Sequence, residues 1–271
     1  MNLAIVRKTM TESLLGFTVT FFGLIAFVIL LSWAMVNMGT ELLDVVSKFP
    51  WLQKILEMSL GISFEGEVSM NMMFAFGFTH LVVFILAWSV VVSIATRVTV
   101  GESERGTADL LLTLPVTRSE VFFSTSIVWW IVAALISLAP LIGVTISARL
   151  FQSADTVTIS RFVVPAINLF CLNLAVGGFA TLFGCCFSRR SVALGAVVAL
   201  VCVSVALNFV EPFIEAVSRV KWLSLLTFYR PVETVRTGDW PIAHMIVLMA
   251  IGLTTWAMGW LVYCRKDVPT A

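Results

Sequence analysis

The chain has 271 residues, 59% of them hydrophobic and 12% charged, with a mean hydropathy of +1.01 and a formal net charge of +1. Soluble domains carry about 25% charged residues, and a soluble fold has no means of hiding this much apolar surface, so the composition points to an all-α integral membrane protein. A net charge this close to neutrality leaves no electrostatic footprint for nucleic acid or for an acidic ligand.

Residues 1–13 mix Leu3, Ile5, Val6 and Met10 with Arg7, Lys8 and Glu12. That pattern predicts a short amphipathic helix lying at the membrane surface. The apolar run that follows, about 14–36, is too long for a signal-peptide core and reads as a retained first span. Asn37 to Met70 reads as a polar loop carrying Pro50, Trp51, Gly61 and Gly66. Further spans are expected at about 71–96, 121–148, 162–187, 191–210 and 242–263, each long enough to cross a bilayer as a helix. Ser188, Arg189 and Arg190 make a tight connection between the fourth and fifth. The apolar pieces between Glu211 and Pro241 are too short to span and suit interfacial or re-entrant helices. The whole chain reads as one transmembrane domain, 1–271.

Six spans put both termini on one side. With the termini inside, nine Lys and Arg residues fall inside and eight outside. The inner nine abut span ends, the positions that weigh most in the positive-inside rule, so the termini are expected in the cytoplasm. The cysteines Cys171, Cys185, Cys186, Cys202 and Cys264 form no CxxC pair and no metal spacing, and read as small apolar packing residues.

The most polar long interruption in the first two-thirds of the chain is the loop 97–120, RVTVGESERGTADLLLTLPVTRSE. Gly101 to Gly106 has the glycine spacing of a phosphate loop, but Thr107 stands where the lysine belongs and a membrane helix precedes it, so nucleotide binding is not expected. Thr107 to Leu114 reads as a short helix, with Thr107 as its cap and Asp109 in its first turn. Leu110, Leu111 and Leu114 share a face, and Pro115 ends the helix. Thr117 and Glu120 form a capping box that opens the third span. Glu102, Glu104 and Arg105 have no such structural explanation. Beside a leucine-faced helix they read as a docking surface.

The pattern Glu102, Gly106, Thr107, Leu111, Leu112, Pro115, Val116, Arg118 and Glu120 resembles the loop after the second span in ABC-2 type permeases, the membrane subunits of bacterial ABC transporters. The likeness is nearest to permeases of nitrous-oxide-reductase maturation, sodium-export and peptide-antibiotic-resistance systems. The basic segment before the first span, the stretch Leu225 to Pro231 and the ending Tyr263 to Asp267 are similar to the family as well. The resemblance implies a transport subunit and not an enzyme, with an N-terminal elbow helix and a coupling helix between spans 2 and 3. It implies two copies of a separate ATP-binding subunit, which hold the ATP and Mg, seated on Glu102, Glu104, Arg105, Gly106, Thr107, Asp109, Leu110, Leu111, Leu114, Pro115 and Arg118. It also implies a second permease copy, export, and the bacterial inner membrane, and it leaves room for an extracytoplasmic accessory or substrate protein. No cofactor or metal is expected in this chain.

Polar residues inside spans are the other candidates. His80 is the one histidine well inside a span, and an intramembrane ionisable group is a functional hypothesis by default. Asn168, Asn173 and Asn208 suit interhelical hydrogen bonds. With His80 they are the candidates for a substrate path. Met70, Met72 and Met73 open the second span. Thioethers can hold Cu(I), but adaptable apolar packing explains them as well. Ala175, Gly178, Ala180, Gly184, Gly195 and Ala199 have the spacing of close helix packing. An ATP-independent secondary transporter is the alternative function. It wants acidic or lysine side chains at mid-span, and the spans contain none. An intramembrane enzyme lacks any H-E-x-x-H motif.

Overall fold

The computed structural model describes residues 2–49, 70–97, 116–151, 157–211 and 214–265. Its described residues are helical, with α1 Leu3–Lys48, α2 Met70–Thr79, α3 Leu81–Thr96, α4 Arg118–Leu150, α5 Val163–Cys186 and α6 Arg190–Val210. Two short helices, α7 Glu215–Ser218 and α8 Pro231–Thr237, precede the last long one, α9 Ile242–Arg265. Single 3-10 turns stand at Ile159–Phe162, Lys221–Leu223 and Leu225–Phe228. Six of the helical stretches are long and apolar enough to cross a membrane, with α2 and α3 together making the second. The protein is a multi-pass membrane protein.

The helical monotony has a simple cause. Hydrocarbon offers no partner to a backbone N–H or C=O, and a helix pairs all but its ends internally. The buried hydroxyls obey the same rule. Thr125, Ser126, Ser137, Ser147 and Thr181 each donate to the carbonyl four residues earlier, at 2.7–2.9 Å.

The chain departs from its expected boundaries in three places. The surface helix of residues 1–13 and the first span are one continuous helix, and that helix runs on to Lys48, through the start of the expected loop. No proline stands near the junction, the cap-type Ser13 turns its hydroxyl back onto the Thr9 carbonyl of the same helix, and a single Gly16 does not end a helix. At 1.5 Å per residue its 46 residues reach about 69 Å, well beyond a hydrocarbon core of about 30 Å. The second span is interrupted at His80. The remaining long helices match their expected ends within a few residues: α4 begins at Arg118 rather than 121, α5 ends at Cys186, and α9 runs on to Arg265.

Helix contacts show which ends share a face. The Asn2 backbone N–H donates to Ser124 Oγ (2.9 Å), Glu12 pairs with Arg97 (3.3 Å), and Trp260 Nε1 donates to Ser119 Oγ (3.4 Å). The N-terminus, the end of α3, the start of α4 and the end of α9 therefore lie together, on what we term the terminal face. At the opposite, far face the Thr158 N–H donates to Asn71 Oδ1 (2.9 Å), and Arg161 Nη1 donates to the Val235 and Arg236 carbonyls (3.3 Å each).

The closest helix pair is α5 with α9. A Cβ on Gly178 would sit 2.4 Å from the Gly252 carbonyl oxygen, and one on Gly252 would sit 2.8 Å from the Leu174 backbone. Further along, Gly259 faces the Leu182 backbone at 3.3 Å. With no hydrophobic drive between helices in lipid, such small-residue contacts let backbone pack on backbone. Of the small residues with packing spacing in the sequence, Gly178 serves this contact, while Gly195 is exposed on α6 with nothing within 4 Å. A second close contact puts Val28 of α1 between Gly77 and Gly143. Gly252→Ala is expected to lower stability by about 1–3 kcal/mol, and Gly195→Ala to leave it within about 0.5 kcal/mol. Thermal unfolding of both variants in detergent checks the contrast, and equal losses at the two glycines would refute this account of α5 and α9.

Candidate functional site

The loop 97–120 is described only at its stems. Glu102, Glu104, Arg105, Gly106, Thr107, Asp109, Leu110, Leu111, Leu114 and Pro115 lie outside the described residues, as does the short helix expected at 107–114. Arg97, Val116, Thr117, Arg118, Ser119 and Glu120 are within them. The entry stem ends in Arg97, whose guanidinium pairs with Glu12 of α1. The exit stem is the expected capping box. The Glu120 N–H donates to Thr117 Oγ1 (3.2 Å), and the Thr117 N–H donates to Glu120 Oε2 (3.0 Å). Two donors at the start of α4 that have no helical partner are thereby satisfied. Arg118 is half-buried at the first position of α4. Ser119 then receives Trp260 Nε1 and touches Cys264 Sγ (3.5 Å), which fixes the end of α9 beside the same stem.

His80 is not inside a helix. Its φ and ψ of −66° and 133° are extended, and it caps α3 by accepting the Val82 N–H on Nδ1 at 3.3 Å. A neutral ring with Nδ1 accepting carries its proton on Nε2. In an unbroken helix the Val82 N–H would bond to the Phe78 carbonyl. That carbonyl instead accepts the hydroxyl of Tyr229, at 3.0 Å, from the segment between α6 and α9. Tyr229 is 6% exposed, and burial pushes its phenol well above the ordinary tyrosine value, so it remains a hydrogen donor throughout the physiological pH range. Its ring stands edge-on to Phe84, which stacks on Trp88.

The four candidates for a substrate path differ in their surroundings. His80 is exposed and lies against Phe27, with ring centroids 5.0 Å apart. Asn168 and Asn173 are fully buried on α5. Asn168 Nδ2 reaches the Phe228 carbonyl (3.4 Å), and Asn173 Nδ2 donates to Ser137 Oγ (2.9 Å). Asn208 is half-buried on α6. Asn173 thus joins two spanning helices, and Asn168 joins α5 to the 3-10 turn Leu225–Phe228. Met72 is buried and Met70 packs against the core. All five cysteines are free thiols, and no group of three or more His, Cys, Asp or Glu among the described residues could hold a metal.

Tyr229 is not among the residues that sequence reasoning marks for function. The one signal near it is the aromatic and proline-containing stretch Leu225 to Pro231. Its partner exists only because the second span breaks. Comparison with protein-family models and with curated proteins finds no match to this chain.

Thr117→Ala removes a cap acceptor at the start of α4 and is expected to destabilise the protein by about 1 kcal/mol. Chemical or thermal unfolding in detergent reads this out. In a double-mutant cycle with Glu120→Ala the two losses should be less than additive, because both belong to one reciprocal pair.

Proposed function

We propose that this chain is the membrane subunit of an ABC transporter of the ABC-2 type, driven by a separate ATP-binding subunit that docks on the loop 97–120. The observation that carries the reading is where the two ends of that loop leave the bundle. Its two stems lie on one face, gripped by the N-terminal helix through Glu12 and Arg97 and by the end of α9 through Trp260 and Ser119. A load applied to the loop therefore reaches four of the six spanning stretches directly, the two that it joins and the first and last. A short leucine-faced helix between such stems, flanked by Gly101, Gly106 and Pro115, suits the transmission of nucleotide-driven closure into helix movement. Glu102 and Arg118 would hold its register by charge pairing.

A second copy completes the machine. On α3 and at its cap the residues His80, Leu81, Ile85, Ser89 and Ser93 are exposed, between α1, which brings Phe27 to His80, and α6, whose Arg190 donates to Ser93. Polar groups turned outward at membrane depth are costly against lipid, which favours a partner subunit there. Export across a bacterial inner membrane, with cytoplasmic termini, belongs to the same reading. An ATP-independent secondary transporter is the other reading, and the break at His80 favours it, since discontinuous helices build many such substrate sites.

Co-purification separates the two. The tagged chain, extracted in mild detergent from its host, should bring down an ATPase in equal amount, and Leu110→Asp with Leu111→Asp and Leu114→Asp should lose it while the chain still inserts. A chain that purifies without an ATPase would overturn the ABC reading. In the assembled complex, Glu102→Ala or Gly106→Pro should leave ATP hydrolysis running but uncoupled from transport.

A further inference from the structure

We propose that residues 70–79, 157–162 and 225–237 form one cooperative cap at the far face, able to open as a unit about His80. Three pieces that are distant in sequence meet there, and each pair is joined by at least one direct tie. Asn71 of α2 accepts the Thr158 N–H at 2.9 Å. Phe78 of α2 stacks on Phe162, with centroids 6.2 Å apart. Arg161 donates to the Val235 and Arg236 carbonyls, capping the last turn of α8. Tyr229 donates to Phe78 and so closes the triangle.

Two of the three pieces are bounded by backbone breaks, while 157–162 runs directly into α5. Between α2 and α3 stands His80 in extended conformation, with the regular helical ladder interrupted. Ser224, at φ −81° and ψ 124°, begins the third piece, and Gly238 ends it with a φ of 80°. That angle is in the left-handed region, where a side chain is strained and glycine is not. The cap is rooted in the bundle by Ser224, which donates to the Ser204 carbonyl at 2.8 Å, and by Asn168, which donates to the Phe228 carbonyl. Past His80, α3 turns Val83, Ala87, Val91 and Ala95 into the same continuous core that Phe78, Phe162 and Val235 enter from the cap, so what sets the cap apart is its own polar ties and the break at His80.

The hydroxyl of Tyr229 is the central tie. It is the partner of a carbonyl that the helix has released in a buried place, where an unmet acceptor is costly. Losing it should loosen α2 and the 225–237 segment together, although the two bonded residues are 151 positions apart in the chain. The inference stands apart from the transport reading. If that reading also holds, the cap lies at the far mouth of whatever path the spans enclose.

Hydrogen exchange followed by mass spectrometry, on the full chain in lipid nanodiscs, tests it. Tyr229→Phe keeps the ring and removes the tie. It should raise exchange in all three pieces by a similar factor, about threefold to tenfold, the scale of one buried hydrogen bond. Exchange within α5 from 172 to 185 and within α9 should not change. Arg161→Gln and Asn71→Ala cut other sides of the triangle and should give the same three-piece response. Acceleration confined to the piece that carries the substitution, or spread evenly over every helix, would falsify the cap. The Asn71 tie lies at the exposed edge, so Asn71→Ala still decides between these outcomes should Tyr229→Phe fail to fold.

Discussion

Every backbone polar group within hydrocarbon must find its partner inside the protein, and most of this structure follows from that constraint. It forces helices. It turns the buried serine and threonine hydroxyls back on their own helices, as at Ser137 and Ser147. It leaves the few remaining polar side chains to join one helix to another. Ser137 Oγ does both, donating to Ala133 and accepting from Asn173. Ser126 Oγ does the same with Phe122 and the Trp256 indole. These relays place polar ties inside the bundle without an unmet hydroxyl proton. They cost little packing volume, because serine is small enough to leave neighbouring helices in contact.

The same constraint gives the break at His80 its significance. Ending a helix in mid-membrane exposes carbonyls and N–H groups that no lipid will satisfy. Here the break is met from both sides: the His80 ring takes the Val82 N–H, and Tyr229 supplies a proton to the Phe78 carbonyl. A kink that needs a dedicated partner from a distant segment differs from a proline kink, which is written into one residue. It can be released when the partner moves away. The second span is thus interrupted at His80 while both of its halves enter one core, and Gly77 allows Val28 of α1 to lie close beside the break.

Much of this architecture is legible in the sequence because the span signal is long and additive. Around twenty apolar residues flanked by polar ones leave few alternatives, and five of the six stretches begin and end within a few residues of expectation. The capping box of Thr117 and Glu120 is equally legible, since both partners lie within one helical turn. What the sequence hides is non-local. His80 has neither proline nor glycine beside it, so the pattern 71–96 reads as unbroken. The role of Tyr229 depends on that break. Gly252 and Gly259 on α9 carry no signal of their own, although Gly178 does, because a packing groove is a property of two helices and not of one spacing. The continuation of α1 beyond residue 36 is hidden for another reason: polar residues there read as loop, whereas Met38 to Lys48 retains helix-compatible composition with no proline before Pro50.

The two faces of the molecule are built on different principles, and this bears on how it moves. At the terminal face the stems of the loop 97–120 are tied to helix ends that are themselves long and continuous, α1, α4 and α9. A displacement there is carried along whole helices, because an α-helix is stiff over such lengths. At the far face the elements are short, interrupted and joined mainly through side chains, as with Arg161 on α8 and Tyr229 on α2. Movement delivered by rigid helices would meet, at that end, a set of joints. Long helices tied at one face and short, side-chain-joined elements at the other would, on the proposed reading, let a small shift at the loop become a local opening at the opposite face.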